Sequence, residues 1–393
     1  MNVSTLKTCV LTALAVASMA VMLTGCGGAG SSGESDKVIK VGANLELTGN
    51  SASYGTSAQN GIEMAVKEIN DAGGLLGKKI EVSYADNRSE ATEAANAMQK
   101  LLDDNVEFIL GPDTSSGALA CVATADQEKI PMITPFGTNP DITVDPATQS
   151  VRPYVFRAAF IDTFQGKAMA DFVADTLKAK KAAVYVDNSS DYSKGLQKFF
   201  EEEFSKKGGS IVATEAYLQK DTDFKAALTK IKAADPDVIF VPGYYQEVGM
   251  IIKQAREMGM TQPIVGGDGW DSTKLAEIAG AANLTDCYFG NHYSADDTSE
   301  VVQNFVSNYQ KTYNQKPDAP AAMAYDSMMI LAQAIKDANS TDKDAVKAAL
   351  EKISGFNAVS GKISFNEFHD PVKSAVILSF KDGKQIFVTK VEP

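Results

Sequence analysis

The sequence predicts an α/β protein: two doubly wound parallel-sheet lobes joined by a multi-strand hinge. Three observations predict it. Strand and helix patterns alternate regularly from about residue 38. The alternation runs in two successive series, and a group of late helices has no strands of its own to cover. A chain of 393 residues also exceeds one ordinary core, in keeping with two lobes.

In the first series "VIKVGANLEL" (38–47) reads as a buried strand. Ile62, Ala65, Val66 and Ile69 then share one helical face, which "DAGG" ends. "KIEVSYAD" is the next strand, followed by a helix from about Ser89 to Asp104 and the strand "VEFILG". "ILGPDTSSGAL" (109–119) leads into another helix, and "IPMITP" (130–135) is again a strand. This βαβαβαβ order is that of a parallel sheet covered on both faces.

The second series has strands "AAVYVDN" (182–188), "SIVATEAY" (210–217), "DVIFVPG" (237–243) and "PIVGGDG" (263–269). One intervening helix carries Val248, Ile251, Ile252 and Ala255 at core spacing. "CYFGNHYS" (287–294) leads into three helical segments ending near Ile353, and "GKISFN" precedes a hairpin turning at Asp382-Gly383. The late helices are assigned to the first sheet. The chain then crosses between lobes near 157–161, 285–290 and 360–365. Lobe 1 is residues 37–157 plus 288–362, and lobe 2 is residues 158–287 plus 363–393. The strand ends of both lobes face a common cleft.

The N-terminus reads as an export signal, residues 1–25. Lys7 precedes "CVLTALAVASMAVML", a stretch of signal length and short for a membrane span. It ends in "LTGC", and "GGAGSSGESDK" follows as a flexible tether, residues 26–36. Small residues before a cysteine are the pattern of a bacterial lipoprotein signal. Cys26 is therefore expected to carry the lipid that anchors an extracytoplasmic protein to the membrane. Cys121 and Cys287, far apart in the chain, read as buried thiols. The net charge of −13, with no basic cluster, argues against binding nucleic acid or anionic lipid through a basic surface.

Chemistry has few candidates. His292 and His369 are the only histidines. Asp113 stands where a G-x-S-x-G elbow around Ser115 needs glycine. No metal-binding motif is present, and "GGLLGKK" (73–79) lacks the spacing, the hydroxyl and the preceding strand of a phosphate loop. No cofactor and no enzymatic activity are expected. Recognition is left. Ser115 and Ser116 open a helix, whose free N–H groups favour an anion. One strand later "TPFGTNP" offers Phe136, Gly137 and Thr138. From the second series, Tyr192, Tyr244, Tyr245 and Asp268 all follow strands. Anion donors on one lobe and an acid on the other describe a site for a zwitterion, a free α-amino acid.

From about residue 37 onward the chain resembles the leucine/isoleucine/valine-binding proteins of bacterial ABC importers, which have the type I periplasmic-binding-protein fold. The resemblance is carried by "KVGANLELTGNSASYGTSAQNGIEMAVKEINDAGGLLGKKIEV", "GPDTSSGA", "IPMITPFGTNP", "DYSKG" and "PGYYQEVGMIIKQAREMG". It implies a monomeric trap that closes on a branched-chain amino acid and delivers it to permease subunits served by ATPases. By position, Ser115, the Phe136 backbone and Thr138 would bind the carboxylate, and Asp268 the ammonium. Tyr54, Tyr192 and Tyr244 would line the pocket. There are departures: Arg88 and Thr114 stand where the best-known relatives have a disulfide, and Asp113 and Thr114 replace apolar or thiol positions near the ligand side chain. Either Asp113 points away as a helix-start or ion-pair residue, the preferred reading, or the ligand is a more polar amino acid, amide or small carboxylate. Trp270 walls the cleft or packs beneath it. A ligand sensor for a receptor and an exported serine hydrolase based on Ser115 or Ser116 are the competing functional classes.

Overall fold

The computed structural model describes residues 38–393. The signal, the tether and Cys26 lie outside the described residues. The first sheet is formed by β1 (Val38–Leu45), β2 (Lys79–Asp86), β3 (Phe108–Leu110), β4 (Met132–Thr134) and β5 (Val155–Arg157). All its pairs are parallel and its order is β2-β1-β3-β4-β5. Between these strands run α1 (Ala52–Asp71), α2 (Ala91–Asp103) and α3 (Ser115–Gln127). Short strands such as Phe108-Ile109-Leu110 are buried throughout, as a sheet covered on both faces requires.

The second lobe continues with α4 (Asp162–Asp171), β6 (Lys181–Asp187), α5 (Asp191–Lys206), β7 (Ser210–Tyr217), α6 (Lys225–Ala233) and β8 (Val238–Phe240). Then follow α7 (Tyr245–Glu257), β9 (Ile264–Gly266), α8 (Thr273–Ala279) and β10 (Cys287–Asn291). The helices α9 (Glu300–Tyr313), α10 (Ala319–Ala338) and α11 (Lys343–Leu350) come next. Two short strands, β11 (Phe356–Ala358) and β12 (Gly361–Ile363), precede the hairpin β13 (Ala375–Lys381) and β14 (Lys384–Val391). The second sheet has the order β14-β13-β10-β9-β8-β6-β7; β6 to β10 are parallel, and the hairpin extends them antiparallel.

The late helices do cover the first sheet. Helix α10 lies so close to α1 that a Cβ on Gly61 would stand 2.1 Å from the Ala321 carbonyl oxygen. The crossings differ in detail from those read in the sequence. Strand β10 pairs with β9 and β13, so residues 288–291 belong to the second sheet and the return follows Asn291. Residues near 370 stay with the first lobe, because His369 bonds the Val155 carbonyl and Asp370 meets Arg157. The final crossing therefore falls between Asp370 and Ala375.

Arg157 shows how the fold prepares the cleft. Its side chain is fully buried, and a buried guanidinium needs partners for all its donors. It donates to the Gly137 carbonyl at 3.1 Å, the Asn139 carbonyl at 2.9 Å and Thr143 Oγ1 at 2.9 Å. Its Nε lies 2.6 Å from Asp370 Oδ1. One side chain thus fixes the loop after β4 that presents Thr138. Arg157→Met should cost about 3–5 kcal/mol, since it strands Asp370 and several carbonyls. Urea denaturation measures this, and Asp370→Asn in the same chain should recover part of the loss.

Candidate functional site

The site forms where strand ends of both sheets meet. In the first lobe the chain must turn sharply after β3, and Gly111 permits it with φ of +96°. Any side chain there would strike the Asn44 carbonyl oxygen at 2.0 Å. The turn is tied to Glu46, just past β1. Its carboxylate accepts the N–H groups of Asp113 (3.1 Å) and Thr114 (3.0 Å) and the Thr114 hydroxyl (2.8 Å). Thr114 Oγ1 in turn accepts the Gly117 N–H and caps α3. Ser115 is buried at the start of α3, and its Oγ accepts the Asn139 N–H at 3.3 Å.

In the second lobe Asp268 follows β9 and is 1 % exposed. Its Oδ1 accepts Gln165 Nε2 at 2.9 Å and the Tyr192 hydroxyl at 2.8 Å, and its Oδ2 lies 2.9 Å from His292 Nε2. Tyr192 stacks on Tyr244 with centroids 5.2 Å apart. Tyr54 reaches over from α1; its hydroxyl donates to the Gly269 carbonyl, and its ring packs on Phe136 and Tyr244. Asp113, Ser115 and Phe136 from one lobe and Tyr192, Tyr244, Asp268 and Gly269 from the other enclose a single small cavity. Its volume is about 10 Å³, the room of one water.

Around this cavity the lobes touch directly at the rim. Asn50 Nδ2 donates to Glu247 at 2.8 Å, and Ser53 Oγ lies 2.8 Å from Ser272 Oγ. Lys220 meets Glu90 at 2.6 Å, and Ser116 bonds Asp191 at 3.0 Å.

The charge distribution is one-sided. Burial pushes the carboxyls of Glu46 and Asp113 up; Asp113 is raised well above the usual range, with Glu46 and Asp318 adding repulsion. Burial first, then the charge of Asp268, pushes Asp162 to about 8. Burial lowers His292 to about 4 against the pull of Asp268, so at neutral pH it is an uncharged imidazole. The unpartnered nitrogen is Nδ1, so Nε2 carries the proton toward Asp268.

The predicted residues do not all meet at the cavity. Ser115, Phe136, Tyr192, Tyr244 and Asp268 meet at the cavity, with Tyr54 packed behind. Thr138 does not line it: its buried side chain lies at Asp162, whose N–H donates to the Thr138 carbonyl at 3.0 Å. Gly137 gives its N–H to Thr134 Oγ1 at 3.1 Å, which shapes the loop, and it does not line the cavity. Thr114 is occupied by Glu46 and the helix cap. The preferred reading of Asp113 is overturned: it neither caps nor pairs, and it lines the cavity with both oxygens unpartnered. Trp270 packs beneath the cleft, its Nε1 on the Val241 carbonyl. Cys121 and Cys287 are buried thiols, both pushed up to about 12 by burial.

Gln165, His292 and Glu46 are the residues sequence reasoning missed as site members. His292 does lie in the cleft, but on Asp268, not on a serine. Ser116 bonds Asp191, and His369 bonds Val155 and nears Glu351. No serine–histidine pair exists among the described residues at Ser115 or Ser116. No group of three potential metal ligands occurs among them either. A larger cavity, about 600 Å³, lies elsewhere, lined by the segment after β10, the β11–β12 strands and the C-terminal hairpin.

The lowered His292 has a testable consequence. The unfolded imidazole takes a proton near 6.5 and the folded one near 4. Its contribution is complete above about pH 6.5 and is lost as the pH falls toward 4. His292→Gln should therefore lose less stability than the parent between pH 7 and pH 5, read from urea midpoints. Equal losses would remove this account of the imidazole.

Comparison with known proteins bears on the family and the fold. A family profile described as "Periplasmic binding protein" matches residues 38–385. A leucine binding protein, LivK, from Thermotoga maritima is 36% identical with a TM-score of 0.85, over 90% of this chain and 99% of that one. The branched-chain amino acid transporter substrate binding protein LivJ of Streptococcus pneumoniae, solved with isoleucine, is 41% identical. Its TM-score is 0.84, over 91% of this chain and all of that one, 100%. The Leu/Ile/Val-binding protein homolog 3 of Brucella melitensis is 30% identical over 348 residues, 88% of this chain and 92% of that protein. With its two α/β lobes and a polar cleft between their strand ends, the chain belongs to the periplasmic-binding-protein family.

Proposed function

We propose that the protein is the extracytoplasmic, lipid-anchored solute-binding protein of an ABC importer, capturing a free amino acid of branched-chain size between its lobes. The observation that carries the reading is the convergence of Ser115 and Phe136 from the first lobe and the Asp268 carboxylate from the second; the one-water space between them takes a ligand of this size only when the lobes part further. Ser115, the Phe136 backbone and Thr138 hold the ligand carboxylate. Asp268, its geometry fixed by Gln165, Tyr192 and His292, holds the ammonium. The names of the relatives, two of them above 35% identity over nearly the whole fold, support amino-acid transport.

The mechanism is a shift of population. A ligand that touches both lobes binds the closed arrangement more tightly than the open one, and its differential affinity drives the hinge. The closed lobes then form the surface that permease subunits receive. Cys26 tethers the protein at the membrane as a monomer, and no chemistry is performed on the ligand.

Asp268→Ala and Thr138→Ala test the clamp. After ligand carried over from expression has been removed by unfolding and refolding, calorimetry with the amino acid that binds the parent most tightly should show affinity reduced at least about thirtyfold in Asp268→Ala, which leaves the ligand ammonium unpaired. Circular dichroism should stay that of the parent. Undiminished affinity in both variants would falsify the assignment. A thermal-shift series over the common amino acids gives the ligand class directly, since a ligand at a hundred times its Kd adds about 2.7 kcal/mol.

A further inference from the structure

The clamp leaves one wall of the cavity unused. Asp113 is 1 % exposed and neither carboxyl oxygen has a partner. Its N–H is already given to Glu46, and the helix cap is made by Thr114. No lysine or arginine pairs with it among the described residues. The charged groups nearest to it, Glu46 and Asp318, are acids, and each is occupied elsewhere: Glu46 by the turn, Asp318 by Ser57 and the start of α10.

A buried carboxyl with no partner costs roughly 1–3 kcal/mol even uncharged, and far more as a free anion. Nothing in the fold gains from it. The turn is held by the Asp113 backbone and by Glu46, neither of which needs this side chain. What the side chain does is line the cavity together with Ser115 and Asp268.

We infer that Asp113 is the group that reads the ligand's side chain, and that the ligand is an α-amino acid of branched-chain size whose side chain carries a hydrogen-bond donor. The inference rests on the amino-acid reading of the cleft and narrows it. A hydroxyl or an amide would donate to Asp113 in its uncharged form, the form that burial and the neighbouring acids favour. A ligand ammonium would instead pair with the ionised form and supply the cation that this wall lacks. An aliphatic side chain leaves both oxygens unpaired. Sites built around a hydrogen bond reject the isostere without it by factors up to roughly 10⁴, whereas an apolar pocket prefers valine over threonine by about a hundredfold. The sign of the preference therefore decides.

Two isosteric pairs, threonine against valine and asparagine against leucine, and ornithine as the ammonium arm, are titrated calorimetrically into the refolded, ligand-free protein. The donor member of at least one pair should bind tighter than its aliphatic partner by about tenfold or more. Asp113→Ala should abolish or invert that order. The isosteric Asp113→Asn should keep a hydroxyl or amide ligand but lose most affinity for ornithine if ornithine binds the parent; it also serves should Asp113→Ala fail to fold. Valine and leucine binding more tightly than threonine and asparagine, with the same order in both Asp113 variants, would overturn the inference while leaving the amino-acid site intact. Absence of binding by all five, with no thermal shift from any of the common amino acids, overturns the amino-acid reading itself.

Discussion

A carboxylate removed from water must be given hydrogen bonds, and Asp268 receives them from three directions. Gln165 comes from α4, Tyr192 from α5, and His292 from the segment leaving β10. These elements are far apart in sequence, so satisfying one buried charge draws two helices and the hinge to a point. The neighbouring Gly269 carbonyl takes the Tyr54 hydroxyl, which brings in the first lobe. The cleft is organised around this charge.

The first lobe has a corresponding anchor in Glu46, which does not line the cavity. Its three accepted bonds fix the turn from which Asp113, Thr114 and Ser115 are presented. Arg157 does the same for the loop that carries Thr138. The first lobe thus uses two buried charged side chains to hold backbone that must approach the cleft without regular structure. The division of labour explains the excess of acid: some carboxyls are structural acceptors, and two, Asp113 and Asp268, are turned to the cavity.

Much of this was legible in the sequence, for identifiable reasons. Apolar runs bounded by turns mark parallel strands, so the two series and the strand ends bearing Ser115, Phe136, Tyr192, Tyr244 and Asp268 could be read directly. The crossing after β10 was not, because the residues of "CYFGN" suit either sheet and only their partners decide. Gln165 and His292 escaped because nothing local ties them to Asp268. Asp113 was misread for a sharper reason: Asp113 and Thr114 are both good helix-start residues, and only one of them can be the N-cap. The turn at Gly111 gives the position to Thr114 and leaves Asp113 facing inward.

The rim contacts separate two properties that a binding protein must set. Asn50–Glu247, Ser53–Ser272 and Lys220–Glu90 join the lobes without touching the cavity. Strengthening or weakening them changes how readily the lobes close on every ligand alike, whereas the cavity wall alone decides between ligands. Tightness can therefore drift over generations while selectivity stays fixed.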